Sequence, residues 1–104
     1  MAQFDVYENS NPVTRQTVPY LLNLQSDLLD GLATRVVVPL VAAAAMGKPA
    51  RHLNPVFTIK RAKVVMSTAE LAGIPMRVLG NKVGSLKEHR TEIIVALDFL
   101  FTGF

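Results

Sequence analysis

The sequence predicts a mostly β fold, a small barrel or rolled sheet that carries one C-terminal α-helix. Three observations predict it. Five or more short β-branched or alternating apolar segments are separated by turn signals. Half of the 104 residues are hydrophobic, too many for a disordered chain and enough for the modest core of one domain, 1–104. The stretch Ile93–Phe101 has Asp98 as its only charge, so a helix there is apolar almost all round and needs a second surface to cover it. In a short chain that surface is expected to be a second copy, which makes a homodimer.

Taken in order, Gln3-Phe4-Asp5-Val6-Tyr7 alternates polar and apolar with the period of a half-buried strand. Asn9-Ser10-Asn11-Pro12 is a turn or loop, and Val18–Leu24 is a second strand. Gln25–Gly31 reads as a loop, with Asp27 and Asp30 flanking Leu28 and Leu29. Arg35–Val41 is a β-branched run. Pro39 lacks a backbone donor, so this strand is expected at an edge or bulged there. Ala42–Met46 favours helix, and Gly47-Lys48-Pro49 ends it.

Val56–Ile59 and Lys63–Met66 flank Lys60-Arg61-Ala62 as a hairpin whose turn type is open, since no Asn-Gly or Asp-Gly marks it. Met76–Leu79 is a further short strand. Ser85 stands three residues ahead of Glu88, the spacing of a capping box, which predicts a helix from Leu86 to about Phe101 with Gly103 turning the chain afterwards.

Composition narrows the function classes. The absence of cysteine excludes a disulfide scaffold and thiol chemistry, and fits a reducing compartment. The N-terminus has no basic start and apolar run of a signal peptide. Val36–Met46, the longest apolar stretch, is about half a bilayer span and is interrupted by Pro39. The expectation is a cytoplasmic protein with no membrane partner. A net charge of +3 is a mild excess.

No motif points to catalysis. His52 and His89 are far apart and outside any metal-ligand spacing, so neither a metal nor a cofactor is expected. Ser26, Ser67, Thr58 and Thr68 are hydroxyls without a base at a telling distance in sequence, and the six glycines are too scattered for a phosphate loop. Arg35, His52 and Thr58 could form a phosphate clamp and proton shuttle for RNA cleavage, without positional support. Binding features are stronger. Adjacent Leu28 and Leu29 in a polar loop either turn inward or stand out for a partner, and Phe101 and Phe104 pose the same choice. Lys60-Arg61-Ala62-Lys63 is a solvated turn or a dock for an acidic peptide or a DNA backbone.

The block Leu24-Gln25-Ser26-Asp27-Leu28-Leu29-Asp30 followed by the Arg35–Leu40 strand resembles the CcdB toxins of type II toxin–antitoxin modules. Gln3-Phe4, Val6-Tyr7, Pro55-Val56 with Ile59, Met66-Ser67-Thr68, Ile74-Pro75, Leu86, His89-Arg90, Ile93, Ala96, Phe101 and Gly103 extend the match along the chain. The resemblance implies an SH3-like barrel with a C-terminal helix, as a homodimer. It implies a non-enzymatic poison that binds the DNA gyrase A subunit and traps cleaved DNA, a CcdA-like antitoxin, and operator binding only by the toxin–antitoxin complex.

Carried onto this chain, the gyrase contact falls on Leu28 and Leu29 and on Asp98, Phe101, Thr102, Gly103 and Phe104. Two positions depart from the family pattern. Thr102 stands where a tryptophan is usual, and Asp98 where an asparagine is usual. The tryptophans of a dimer stack on a gyrase arginine, contacts worth about 0.5–2 kcal/mol each, and threonine has no π face to replace them. Two readings therefore stand beside the gyrase poison. One is a CcdB-fold protein without poisoning that binds antitoxin and regulates its operon. The other is an endoribonuclease like the similarly folded MazF/Kid toxins.

Overall fold

The computed structural model describes residues 1–103. Seven strands form one antiparallel sheet: β1 (Asp5–Asn9), β2 (Tyr20–Asn23), β3 (Thr34–Ala42), β4 (Val56–Ile59), β5 (Ala62–Met66), β6 (Ala72–Pro75) and β7 (Leu79–Ser85). Among the described residues two α-helices complete it, a single turn α1 (Ala43–Met46) and the terminal α2 (Arg90–Thr102). The strand order is β4-β5-β3-β2-β1-β7, with β6 paired to β3 off this path. The sheet curls around its core without closing, because β4 and β7 remain as edges.

Period-2 alternation sends Val6, Leu22, Val38, Leu40, Val64 and Met66 to the inner face, where each is fully buried. There they meet Ile93 and Ala96 of α2, also fully buried. Removing a side chain such as Ile93 from water stabilises the fold by roughly 2–3 kcal/mol. The opposite face of β3 and β5 buries Val37, Val41 and Val65, and α1 packs on these two strands.

The Pro39 expectation is corrected. β3 is the most connected strand, not an edge: β2 covers one flank (Leu21 opposite Pro39), while β6 pairs Thr34–Val37 and β5 pairs Leu40–Ala42 on the other. Pro39 falls between these last two partners. Its carbonyl accepts the Ser67 amide at 3.0 Å, so its backbone faces the flank where the sheet changes partner and no donor is required.

The hairpin is where the sequence places it, and its turn type is now settled. Ile59 pairs with Ala62, leaving Lys60 and Arg61 as a two-residue turn. Both have positive φ, 48° and 69°, as a type I′ turn requires. Neither is the asparagine or glycine that tolerates this region without strain.

Two further expectations are corrected near the C-terminus. The strand expected at Met76–Leu79 lies on either side of that segment: β6 ends at Pro75, Met76–Val78 is a 3-10 turn, and β7 follows. The capping box does not form either. Ser85 ends β7, and its hydroxyl accepts the Lys87 amide at 3.2 Å rather than that of Glu88. Lys87–His89 make a 3-10 turn before α2 begins at Arg90, where His89 Nδ1 meets Glu92 at 2.9 Å. The helix is thus four residues shorter at its start than the spacing implied.

Candidate functional site

The loop between β2 and β3 is held by polar groups and presents apolar ones. Asp27–Leu29 form a 3-10 turn, and the Ser26 hydroxyl accepts the Leu28 amide at 3.2 Å. Asp27 accepts the Gln3 amide at 2.6 Å. The buried Gln25 side chain clamps both ends: its amide donates to the Leu29 carbonyl at 2.8 Å, and its oxygen accepts the Val36 amide at 3.1 Å.

Arg35 supplies the largest fastening. Only 2% exposed, its guanidinium donates to the carbonyls of Asp30, Leu32 and Thr34, to the Asp30 carboxylate at 3.1 Å, and to the Met1 sulfur at 3.2 Å. The N-terminal ammonium also lies 3.5 Å from Asp30. With its backbone so anchored, the turn exposes 94% of Leu28 and 51% of Leu29. The two leucines thus make a small apolar surface on a fixed backbone, open to a partner.

The second group of residues lies at the end of α2. Phe101 is 70% exposed, and Asp98, Thr102 and Gly103 are exposed beside it. Thr102 Oγ1 donates back to the Asp98 carbonyl at 2.6 Å, the i−4 bond that a hydroxyl makes within a helix. Gly103 turns the chain at φ 79° and donates to the Phe99 carbonyl at 3.0 Å, as expected for a helix-ending glycine. Phe104, the last of the expected contact residues, lies outside the described residues. No hydrogen bond or ion pair joins this tail to the Asp27–Leu29 turn among the described residues.

Residue identities and fold now agree along the chain. The sequence model of the CcdB protein family matches residues 3–103. The chain belongs to the CcdB family. In this CcdB chain the matched span contains both patches described above, apart from Phe104.

The clamp imagined for RNA cleavage is not assembled in this CcdB fold. Every guanidinium hydrogen of Arg35 is turned toward the β2–β3 loop and Met1, leaving none for a phosphate. His52 is exposed near Phe99, with ring centroids 6.4 Å apart. It lines a cleft of about 290 Å³ with Pro55, Thr91, Glu92 and Val95, which sequence reading missed because its walls are 35 residues and more apart in the chain. No group of three potential metal ligands occurs among the described residues, and no described helix is long and apolar enough to cross a membrane.

Proposed function

We propose that this chain is the toxin of a type II toxin–antitoxin module, and that it binds the DNA gyrase A subunit and holds the enzyme on cleaved DNA. Family membership supports the coarse reading, a toxin acting on gyrase. The observation that carries the finer one is Leu28, 94% exposed on a turn whose backbone is fastened by Gln25, Asp27 and Arg35. A preformed apolar knob loses little conformational freedom on binding, which favours affinity. Leu28 and Leu29 form one contact, and Asp98, Phe101, Thr102, Gly103 and Phe104 form the other. Residues 1–104 act as one toxin domain, in the cytoplasm, as a homodimer neutralised by a CcdA-like antitoxin.

A second reading has its own observation. Thr102 spends its hydroxyl on the Asp98 carbonyl and offers no ring for an arginine to stack on. That favours a CcdB-fold protein that keeps antitoxin binding and operon autoregulation without poisoning gyrase.

One assay separates the two. Purified protein and its Thr102→Trp variant are incubated with gyrase and supercoiled plasmid, and linear DNA released by detergent is measured. Trapped DNA with the natural chain supports the poison. Trapping by the tryptophan variant alone supports the regulatory reading with an intact contact surface. If neither traps DNA, the gyrase assignment fails.

A further inference from the structure

Charge is unevenly placed along this chain. Residues 31–69 carry six lysines and arginines and no carboxylate, so the remainder is net negative although the whole is +3. Arg35 is buried and paired with Asp30. The other five, Lys48, Arg51, Lys60, Arg61 and Lys63, are exposed and make no ion pair or side-chain hydrogen bond among the described residues.

Topology gathers them. Phe57, Ile59 and Val64 face the core, so Thr58 and Lys63, paired across β4 and β5, point to the outer face. On that side Val65 is 1% exposed, and α1 packs on β5, with Lys48 and Arg51 on the loop that follows. Glu88 and Glu92 flank His89, which packs on the inward-facing Phe57 ring, and Glu70, past the end of β5, accepts the Ser67 hydroxyl. Lys60 and Arg61 project from the tip, and both occupy left-handed backbone. Asparagine and glycine would fill these two positions without strain, yet the chain carries two long cations there.

We propose that the outer face of the β4–β5 hairpin and the α1–β4 loop is a phosphate-binding surface for duplex DNA, read through its backbone and without base specificity. Two observations favour a duplex over other polyanions. No phenylalanine, tyrosine or tryptophan is exposed among these cations, and the one ring beside them, His52, sits with its centroid 6.4 Å from that of Phe99, so single strands have little to stack on. The cleft that His52 and Pro55 of this loop line with α2 carries Glu92 in its wall, a charge that repels an acidic peptide. The surface is independent of the gyrase contact and of the tail, and the probe contains no gyrase.

The test is fluorescence anisotropy of a labelled random-sequence 30-base-pair duplex, titrated with purified protein from about 50 to 200 mM salt. The expected result is weak binding, Kd around 10 µM near 100 mM salt, falling steeply as salt rises. Lys60→Asn/Arg61→Gly should flatten the plot of log K against log salt by about two contacts at roughly 0.9 each. This variant relieves the turn, so its melting temperature should rise while its DNA affinity falls. Lys63→Gln, one charge removed from a strand surface, should flatten the slope by about one contact and serves if the turn variant misfolds. The proposal is overturned if the natural chain does not bind duplex, if either folded variant keeps the full affinity and slope, or if a polyglutamate peptide binds this face while the duplex does not.

Discussion

Single side chains in this protein divide sharply between fastening and presenting. Arg35 and Leu28 are seven residues apart and opposite in role: one is 2% exposed and fully hydrogen-bonded, the other 94% exposed. Arg35→Ala strands the carbonyls of Asp30, Leu32 and Thr34 and should cost about 3 kcal/mol in urea unfolding. Leu28→Ala should leave stability within about 0.5 kcal/mol, yet weaken gyrase binding roughly tenfold or more by calorimetry, since the knob itself is lost. An equal loss of stability in both would mean that Leu28 is structural. Tyr7 gives a pH prediction. Its pKa is raised above 10.0, first by burial and then by the nearby Asp5 carboxylate. The neutral phenol is therefore the form that the fold favours. That stabilisation is complete below pH 10.0 and is lost as pH climbs through the raised value. Thermal melts from pH 8 to 11 should show a fall at the alkaline end, and Tyr7→Phe should make it shallower.

Elements show why part of the fold could be read in advance and part could not. The hairpin and β3 announce themselves through β-branched runs, and Gly103 marks the end of α2 through the conformation only glycine adopts freely. Pro39 misled because the rule concerns the backbone donor, and the place where β5 gives way to β6 along β3 requires none. Ser85 misled because a serine can serve the second amide as well as the third, and β7 already held its backbone. β7 itself was invisible: Leu79-Gly80-Asn81-Lys82-Val83-Gly84 has little β propensity and is held as a strand by β1. Gly80 records how close that pairing is. A Cβ there would sit 2.9 Å from the Glu8 carbonyl oxygen and 3.0 Å from the Glu8 Cβ, beside the register shift between Tyr7 and Asn9. Gly80→Ala should push this backbone apart and destabilise by about 1–3 kcal/mol. Gly84→Ala, with open space at its Cβ, should be close to neutral. The same pattern holds at the site: the Gln25-Ser26-Asp27 chemistry marks an ordered turn, but the outward direction of Leu28 depends on Arg35 and Gln3, which lie beyond any local window.

At the scale of the molecule, α2 decides whether one chain is enough. Its inner side is closed by Ile93 and Ala96, while Val95 (40%), Phe99 (37%) and Phe101 (70%) stay in contact with solvent, and Ile94, Leu97 and Leu100 are only half covered. The outward stripe Thr91, Asp98, Thr102 separates the Val95–Phe99 flank from the Ile94–Phe101 flank, so the polar residues interrupt the apolar surface without removing it. A stable dimer covers on the order of 800 Å² per partner. Two copies related by a twofold axis can draw on the long α2 face for this, whereas the hairpin side is cationic and would repel its own copy. Sedimentation equilibrium is expected to give twice the chain mass at micromolar concentration. Val95→Glu adds no charge to the buried core and lies outside both gyrase patches, and with α2 at a twofold seam it would set two carboxylates beside each other there. It should shift the equilibrium to monomer while thermal unfolding of the monomer remains cooperative. A natural chain that sediments as a monomer at these concentrations would remove the dimer from the functional reading and leave the exposed α2 surface to the antitoxin or gyrase alone.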